Sequence, residues 1–173
     1  MSFKTLFDAT QARLRDGSAT NPIHVKVRSE NHGGFRSTVK IRDFTLTIDQ
    51  PKGFGGTNAG PKPSEVVLVA LAACQDITWR LYADALGIPL GSVAVELDGE
   101  QDLRGFLDVD ASTRPGFQQI IGTVVVDSPA ADDDIERLKQ MVDRHCPVLD
   151  DLRSPTPVEL SWRRADNATR SDD

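Results

Sequence analysis

Pro63-Ser64-Glu65-Val66-Val67-Leu68-Val69-Ala70-Leu71-Ala72-Ala73-Cys74 opens the segment that decides the fold. Pro63, Ser64 and Glu65 are helix-start residues, and Val66 to Cys74 follow as nine consecutive apolar residues. An amphipathic continuation runs from Gln75 to Ala85, and Gly87 with Pro89 stops it. The spacing predicts one helix of about 23 residues, roughly 34 Å long at 1.5 Å per residue. A helix that is apolar all round over more than two turns has to be covered on every side. One small sheet cannot do that. Either the domain wraps this helix, or a second copy of the chain covers the flank left open.

Upstream, Pro51 to Pro63 is a loop in which Gly53, Gly55, Gly56 and Gly60 alternate with Pro51, Pro61 and Pro63. So many glycines suggest a phosphate cradle, but no Gly-Lys-Ser/Thr follows and no G-x-G-x-x-G stands in a βαβ setting. The loop brings the chain from a sheet into the helix. Before it, Val39 and Ile41 alternate in one phase, then Phe44, Leu46 and Ile48 in the other. The flip at Arg42-Asp43 means two strands joined by a very tight turn, or one strand with a bulge. Asn31 to Gly34 is a turn, and His24 to Arg28 alternates as a strand with one wet face. Phe3 to Arg15 carries Phe3, Leu6, Phe7 and Leu14 near one face of a short helix, which Asp16-Gly17-Ser18 breaks.

Downstream, Val93, Val95 and Leu97 alternate as a strand ended by Asp98-Gly99, and Leu103 to Pro115 is irregular. Phe117 to Val126 is a β-rich run. Asp132-Asp133-Asp134 opens a second helix, where acidic residues complement the helix dipole. Its apolar stripe is Ile135, Leu138, Val142 and Cys146, and Pro147 ends it. Val158, Leu160 and Trp162 alternate as a last strand, and Ala165 to Asp173 is a polar tail read as disordered. The order makes an α+β domain with mainly antiparallel pairing. Residues 1–20 are an N-terminal helical segment, 21–163 the domain, and 164–173 the tail.

With 173 residues, the chain has room for one domain and a real core. The net charge of −6, from 20 Lys+Arg against 26 Asp+Glu, argues against nucleic acid or anionic membrane as a partner. No unbroken apolar stretch reaches the roughly 20 residues of a membrane span. Met1-Ser2-Phe3-Lys4 lacks the apolar core of a secretory signal, so the expected location is the cytosol. His24, His32 and His145 lie on a strand, a turn and a helix end without metal-ligand spacing. No metal or cofactor is expected. Trp79 and Tyr82, one turn apart, read as core or interface, His145 as a solvent-facing cap, and Asn167-Ala168-Thr169 as a glycosylation pattern without a secretion signal.

Only Cys74 and Cys146 are cysteines, and they form no C-x-x-C pair. In a reducing cytosol they are buried inert thiols, or one is a free surface thiol. Both face inward toward the same layer: Cys74 at the end of the apolar run, Cys146 at the end of the second helix's stripe. Apolar surroundings raise a thiol's pKa and make it inert, so reactivity needs a cation nearby. Arg28, Arg36 and Arg42 on the N-terminal strands are the candidates.

The stretch Gly55-Gly56-Thr57-Asn58-Ala59-Gly60-Pro61-Lys62-Pro63-Ser64-Glu65, running on to Leu71-Ala72-Ala73-Cys74, resembles the OsmC/Ohr family. So does Arg144-His145-Cys146-Pro147-Val148, a helix ending in a Cys-Pro step. Asp102 to Phe106, Arg114 to Phe117 and the Pro155 to Trp162 strand look like the OsmC-like branch. The resemblance spans roughly residues 24 to 162 and rests on this ordered set, with Cys-Pro 72 residues after the first cysteine. It implies an OsmC-like fold, a mainly antiparallel sheet wrapped around the long helix, in an intertwined homodimer. It also implies a thiol peroxidase: Cys74 as peroxidatic cysteine attacking an organic hydroperoxide, Cys146 as resolving cysteine, and a dithiol reductant closing the cycle.

In the peroxidase branch an arginine activates the thiolate, and a glutamate directly after the loop proline holds it. Arg36 is the best match to that arginine and Arg42 the second. The glutamate's place holds Ser64, with Glu65 one position later. Nine helical residues put Glu65 about half a turn and about 13 Å from Cys74, so its role is not carried over. Gln75-Asp76-Ile77-Thr78 also differs from the Phe-rich continuation of the peroxidases. Two alternatives therefore stand beside the enzyme: an apolar-ligand or partner-binding module without turnover, and a thiol redox sensor oxidised at Cys74.

Overall fold

A computed structural model describes residues 3–19, 22–31, 33–154 and 156–164. The tail 165–173, His32, Pro155 and the glycosylation pattern at Asn167 lie outside the described residues. Helix α1 spans Phe3–Arg15, and three strands follow: β1 Val27–Asn31, β2 Ser37–Ile41 and β3 Phe44–Ile48. Helix α2 is Pro63–Leu86, β4 is Val93–Gln101, α3 is Leu103–Phe106 and β5 is Phe117–Val126. Helices α4, Asp132–His145, and α5, Pro147–Arg153, complete the order. The strands form two antiparallel sheets, β1-β2-β3 and β4-β5.

The phase flip at Arg42-Asp43 is a two-residue hairpin. Ile41 pairs with Phe44 in the β2–β3 register, and Arg42 takes the left-handed conformation the turn requires, φ 51°. The Arg42 guanidinium lies over the Phe44 ring, 5.1 Å from its centroid. The first strand begins later than its alternation suggests, at Val27 instead of His24. Strand β4 does not stop at Asp98-Gly99; Gly99 pairs with Ile120 and the ladder continues to Gln101. There is room for it because Gly99 lacks a Cβ, which would meet the Phe117 ring.

The expected strand at Val158, Leu160 and Trp162 is not a strand: residues 156–164 are irregular, and Leu160 is 93% exposed. Alternation supplies a strand's two faces but does not by itself pair it with a neighbour. No strand of the described chain takes it as a neighbour.

The loop before α2 is built around one carboxylate that its sequence does not advertise. Asp49 is 1% exposed; Oδ1 accepts from the Gln50 N–H, and Oδ2 from Thr57 N–H, Thr57 Oγ1 and Ala59 N–H. Two glycines let the backbone fold this tightly. A Cβ at Gly56 would fall on the Gln50 carbonyl, and one at Gly60 on the Thr47 carbonyl. The hydrogen bonds from Thr57 and Ala59 hold the Asp49 carboxyl far below the usual carboxylate range. A depressed pKa gives stability that is fully present above the unfolded value near 4 and is lost as pH falls toward the folded one. Asp49→Asn is therefore expected to melt at least about 3 °C below wild type near neutral pH. Thermal scans at descending pH should show the gap closing in strong acid; a gap of constant size would deny Asp49 this role.

Helix α2 starts as its sequence says. Glu65 Oε2 accepts from the Lys62 N–H at 2.9 Å, satisfying a donor at the N-terminus. At the other end Gly87, φ 69°, takes the left-handed cap, and the Ile88 N–H reaches the Ala83 carbonyl at 2.9 Å. By length and composition the helix is apolar enough to cross a bilayer, which a count of unbroken apolar residues did not register. Its second half carries Asp76, Arg80 and Asp84, and Arg80 donates to the Leu90 and Gly91 carbonyls.

The core lies on one side of α2. Trp79, Ala83, Ile88, Leu138 and Val142 form the buried cluster, with Val93, Val124, Val126 and Ile135 packed on it. Helix α2 packs against α1, β4, α4 and α5, and the three-stranded sheet makes no comparable packing with it. Between that sheet and the start of α2 lies an open cleft of about 300 Å³, lined by Val39, Leu46, Ile48, Pro63 and Val66. The single chain thus covers one flank of α2. Val67, Ala70, Ala73 and Ile77 stay exposed on the other, Ile77 at 65%.

Candidate active site

Two helices bring the cysteines together. Cys74 sits midway along α2, between the buried edge Leu71–Gln75–Trp79 and the exposed face carrying Val67, Ala70 and Ile77. Steps of three and four residues put Val67, Ala70, Cys74 and Ile77 on one helix face. Cys146 lies at the junction of α4 and α5, and Pro147 sets its geometry. Proline cannot continue α4 and pushes the residue before it out of the helical region, and Cys146 is extended, φ −74°, ψ 110°. Its N–H still closes α4 on the Val142 carbonyl at 2.9 Å, while its carbonyl accepts from Asp150 at 3.0 Å in α5. Proline at the first position of a helix then starts α5, an element the sequence reading missed.

The two sulfurs are 3.2 Å apart across 72 residues of chain. No disulfide joins them; both are free thiols, Cys74 half-buried and Cys146 fully buried. The contact is a hydrogen bond in which Cys146 donates to Cys74. Burial pushes the Cys146 thiol up, and the hydrogen bond to Cys74 and the charge there add to the rise. The Leu149 N–H and the Gln75 amide pull it the other way. Cys146 therefore keeps its proton, and the more accessible Cys74 is the sulfur positioned to accept.

None of the arginines named from sequence hydrogen-bonds either sulfur. Arg28 is paired with Glu30, and Arg42 lies over Phe44. Arg36 is exposed at the head of β2. Among the described residues no lysine or arginine hydrogen-bonds either sulfur. Glu65 is engaged by the cap of α2.

Beside the thiol pair, α2, α4, α5 and the β4–β5 sheet enclose a cavity of about 420 Å³. Its walls include Leu71, Trp79, Val95, Leu97 and Val124, with the Lys139–Asp143 ion pair at 2.6 Å and Arg153 also lining it. Gln75 lines it, whereas neither cysteine does. His145 is exposed but not free: its ring stacks on Tyr82 with centroids 5.2 Å apart, and Tyr82 meets Phe7 of α1 edge-on at 5.9 Å. Trp79 is a core residue.

Sequence reasoning missed Gln75. Its signal is a polar residue on the same helix edge as Leu71 and Trp79, at the point where the amphipathic half of the helix begins.

The family model described as OsmC-like protein matches residues 56–161. An uncharacterized protein of Haloferax volcanii is 25% identical over 138 residues, covering 79% of this chain and 93% of its own length. Among solved structures, an OsmC-like protein from Mycoplasma pneumoniae superimposes with a TM-score of 0.64 at 21% identity, covering 79% of this chain and 91% of that one. An organic hydroperoxide resistance protein from Legionella pneumophila gives a TM-score of 0.59 at 19% identity, covering 78% and 93%. These likenesses fix the α+β fold; at such identities they carry no residue roles.

Proposed function

The chain belongs to the OsmC-like protein family, and from that premise we propose that it is a thiol peroxidase reducing organic hydroperoxides through Cys74 and Cys146. One observation carries the reading: two free sulfurs 3.2 Å apart, one accessible and one sealed. The Cys74 thiolate attacks the terminal oxygen of the hydroperoxide. The O–O bond breaks, its electrons leave on the inner oxygen, and that alkoxide takes a proton and departs as the alcohol. Sulfur is oxidised by two electrons to the sulfenic acid as the peroxide is reduced by two. Cys146 then attacks the Cys74 sulfur, the S–S bond forms, and the oxygen leaves as water. A disulfide is about 2.05 Å long, so the sulfurs need only a small further approach. A dithiol of the cytosol returns both thiols by exchange. The resemblance supplies the reaction class, and the apolar face of Val67, Ala70 and Ile77 around Cys74 suits a lipophilic hydroperoxide.

The cation that favours the thiolate comes, in this reading, from Arg36. The three-stranded sheet is barely packed on its own chain, and the α2 flank that carries Cys74 is bare and apolar. A second copy of the chain would cover both, bringing Arg36 to the thiol across a homodimer. Purified protein given cumene hydroperoxide and a dithiol should consume peroxide over many turnovers and sediment at twice the 18.9 kDa chain mass. Arg36→Ala should slow consumption by about tenfold or more. An unchanged rate would remove Arg36 from the site, and a species of single-chain mass would remove the route by which it arrives.

That no lysine or arginine among the described residues hydrogen-bonds Cys74 favours a second reading, a redox sensor. The same assay distinguishes it: oxidation of a sensor stops after one equivalent.

A further inference from the structure

Gln75 occupies a position that an apolar residue would suit better. On α2 it follows Cys74, whose sulfur lies 3.2 Å from that of Cys146; it is 6% exposed, and its Nε2 is buried with no hydrogen-bond partner. An amide donor taken from water and given no acceptor is a standing cost to the fold. Such a donor is useful where negative charge develops later, because it requires no reorganisation when the charge arrives.

The cycle described above creates that charge beside it. Cys146 must lose its proton before its sulfur can attack, yet it is fully buried and its thiol is pushed up, first by burial and then by Cys74. Among the groups that bear on Cys146, the opposing ones are the Leu149 N–H of α5 and the Gln75 amide of α2. Charged groups are more distant in role. Lys139 and Asp143 of α4 neutralise each other at 2.6 Å on the wall of the adjacent cavity, which Arg153 of α5 also lines. The β4–β5 sheet contributes apolar side chains such as Val95, Leu97 and Val124 to the same cavity. His145, the preceding residue, is stacked on Tyr82.

We propose that Gln75 is the donor that stabilises the Cys146 thiolate in the resolving step, its Nε2 lacking an acceptor until that sulfur becomes an anion. The step balances without a further oxidant. Cys146 gives its proton to water, and its sulfur attacks the sulfenic sulfur of Cys74. The S–S bond forms as the S–O bond breaks, and hydroxide leaves, taking up a proton to become water. The inference rests on the peroxidase reading only for the sulfenic acid.

Gln75→Met keeps the length and volume of the side chain and removes the donor. Cys146 is titrated by its ultraviolet thiolate absorbance in a Cys74→Ser background, where it is the sole thiol. Adding Gln75→Met should raise the midpoint by about one pH unit, a roughly tenfold loss of thiolate at a given pH. Gln75→Glu, with nearly the same shape but a like charge in place of the donor, should raise it further. With Cys74 restored and one equivalent of cumene hydroperoxide, consumption of the peroxide should proceed at the wild-type rate in Gln75→Met, and dimedone should trap more of the sulfenic acid than in wild type. Disulfide formation should slow by roughly tenfold, its pH profile displaced upward with the thiol. A Cys146 midpoint unmoved by both substitutions would overturn the assignment. Failure of the wild type to form a sulfenic acid would instead defeat the peroxidase reading, and the Cys146 titration would still decide whether Gln75 is its donor.

Discussion

Cys74→Ser is expected to lower the consumption of organic hydroperoxide by at least about 10³-fold, the scale of losing a covalent nucleophile. A serine hydroxyl is scarcely ionised near neutral pH and no longer offers a polarisable sulfur to the O–O bond. The substitution is nearly isosteric at a half-buried position, so the loss should come without unfolding. Cys146→Ser is the informative contrast. It leaves the accessible sulfur intact, so one equivalent of peroxide should still be consumed at close to the wild-type rate. Turnover should then stall with Cys74 as a sulfenic acid that dimedone traps. If both variants lost the first equivalent alike, the division of labour between an accessible attacker and a sealed partner would be wrong.

Leu138→Ala is expected to destabilise the fold by about 2–5 kcal/mol, the range for emptying a fully buried leucine site. Leu138 is 0% exposed and belongs to the cluster of Trp79, Ala83, Ile88 and Val142 that fastens α4 onto α2. A whole domain is stable by only about 5–15 kcal/mol, so one such cavity removes a large share. Urea unfolding should show the midpoint falling with the slope unchanged, since a cavity alters stability and not the area exposed on unfolding. A loss below about 1 kcal/mol would mean that α4 is held by something other than this cluster. The position matters for chemistry as well as stability, because α4 ends at Cys146.

The legible parts of the fold were those where a local pattern has one physical solution. Nine apolar residues between Glu65 and Gln75 could only belong to a long helix in need of cover, and the reversal of alternation at Arg42-Asp43 could only be a tight turn or a bulge. The inward-facing cysteines at two helix positions led to sulfurs in contact. What escaped depends on partners remote in sequence or absent from the chain. Asp49 looks like an ordinary strand-end acid until Thr57 and Ala59 fold back onto it. Val158 to Trp162 has the alternation of a strand but pairs with no strand among the described residues. Helix α5 is hidden in the sequence because Pro147 signals the end of one helix and is also the beginning of the next. The bare flank of α2 answers half of the question its apolar run posed: the domain does not wrap this helix by itself.

The most direct measurement is the state of both cysteines after a single oxidising event. Reduced protein is mixed with one equivalent of cumene hydroperoxide, denatured in an alkylating agent, and mapped by mass spectrometry. A peptide pair joined through Cys74 and Cys146, with no alkylated thiol left on either, is the predicted product. Recovery of both cysteines fully alkylated, or of Cys74 oxidised while Cys146 remains a thiol, would contradict the account of two sulfurs acting as one redox centre.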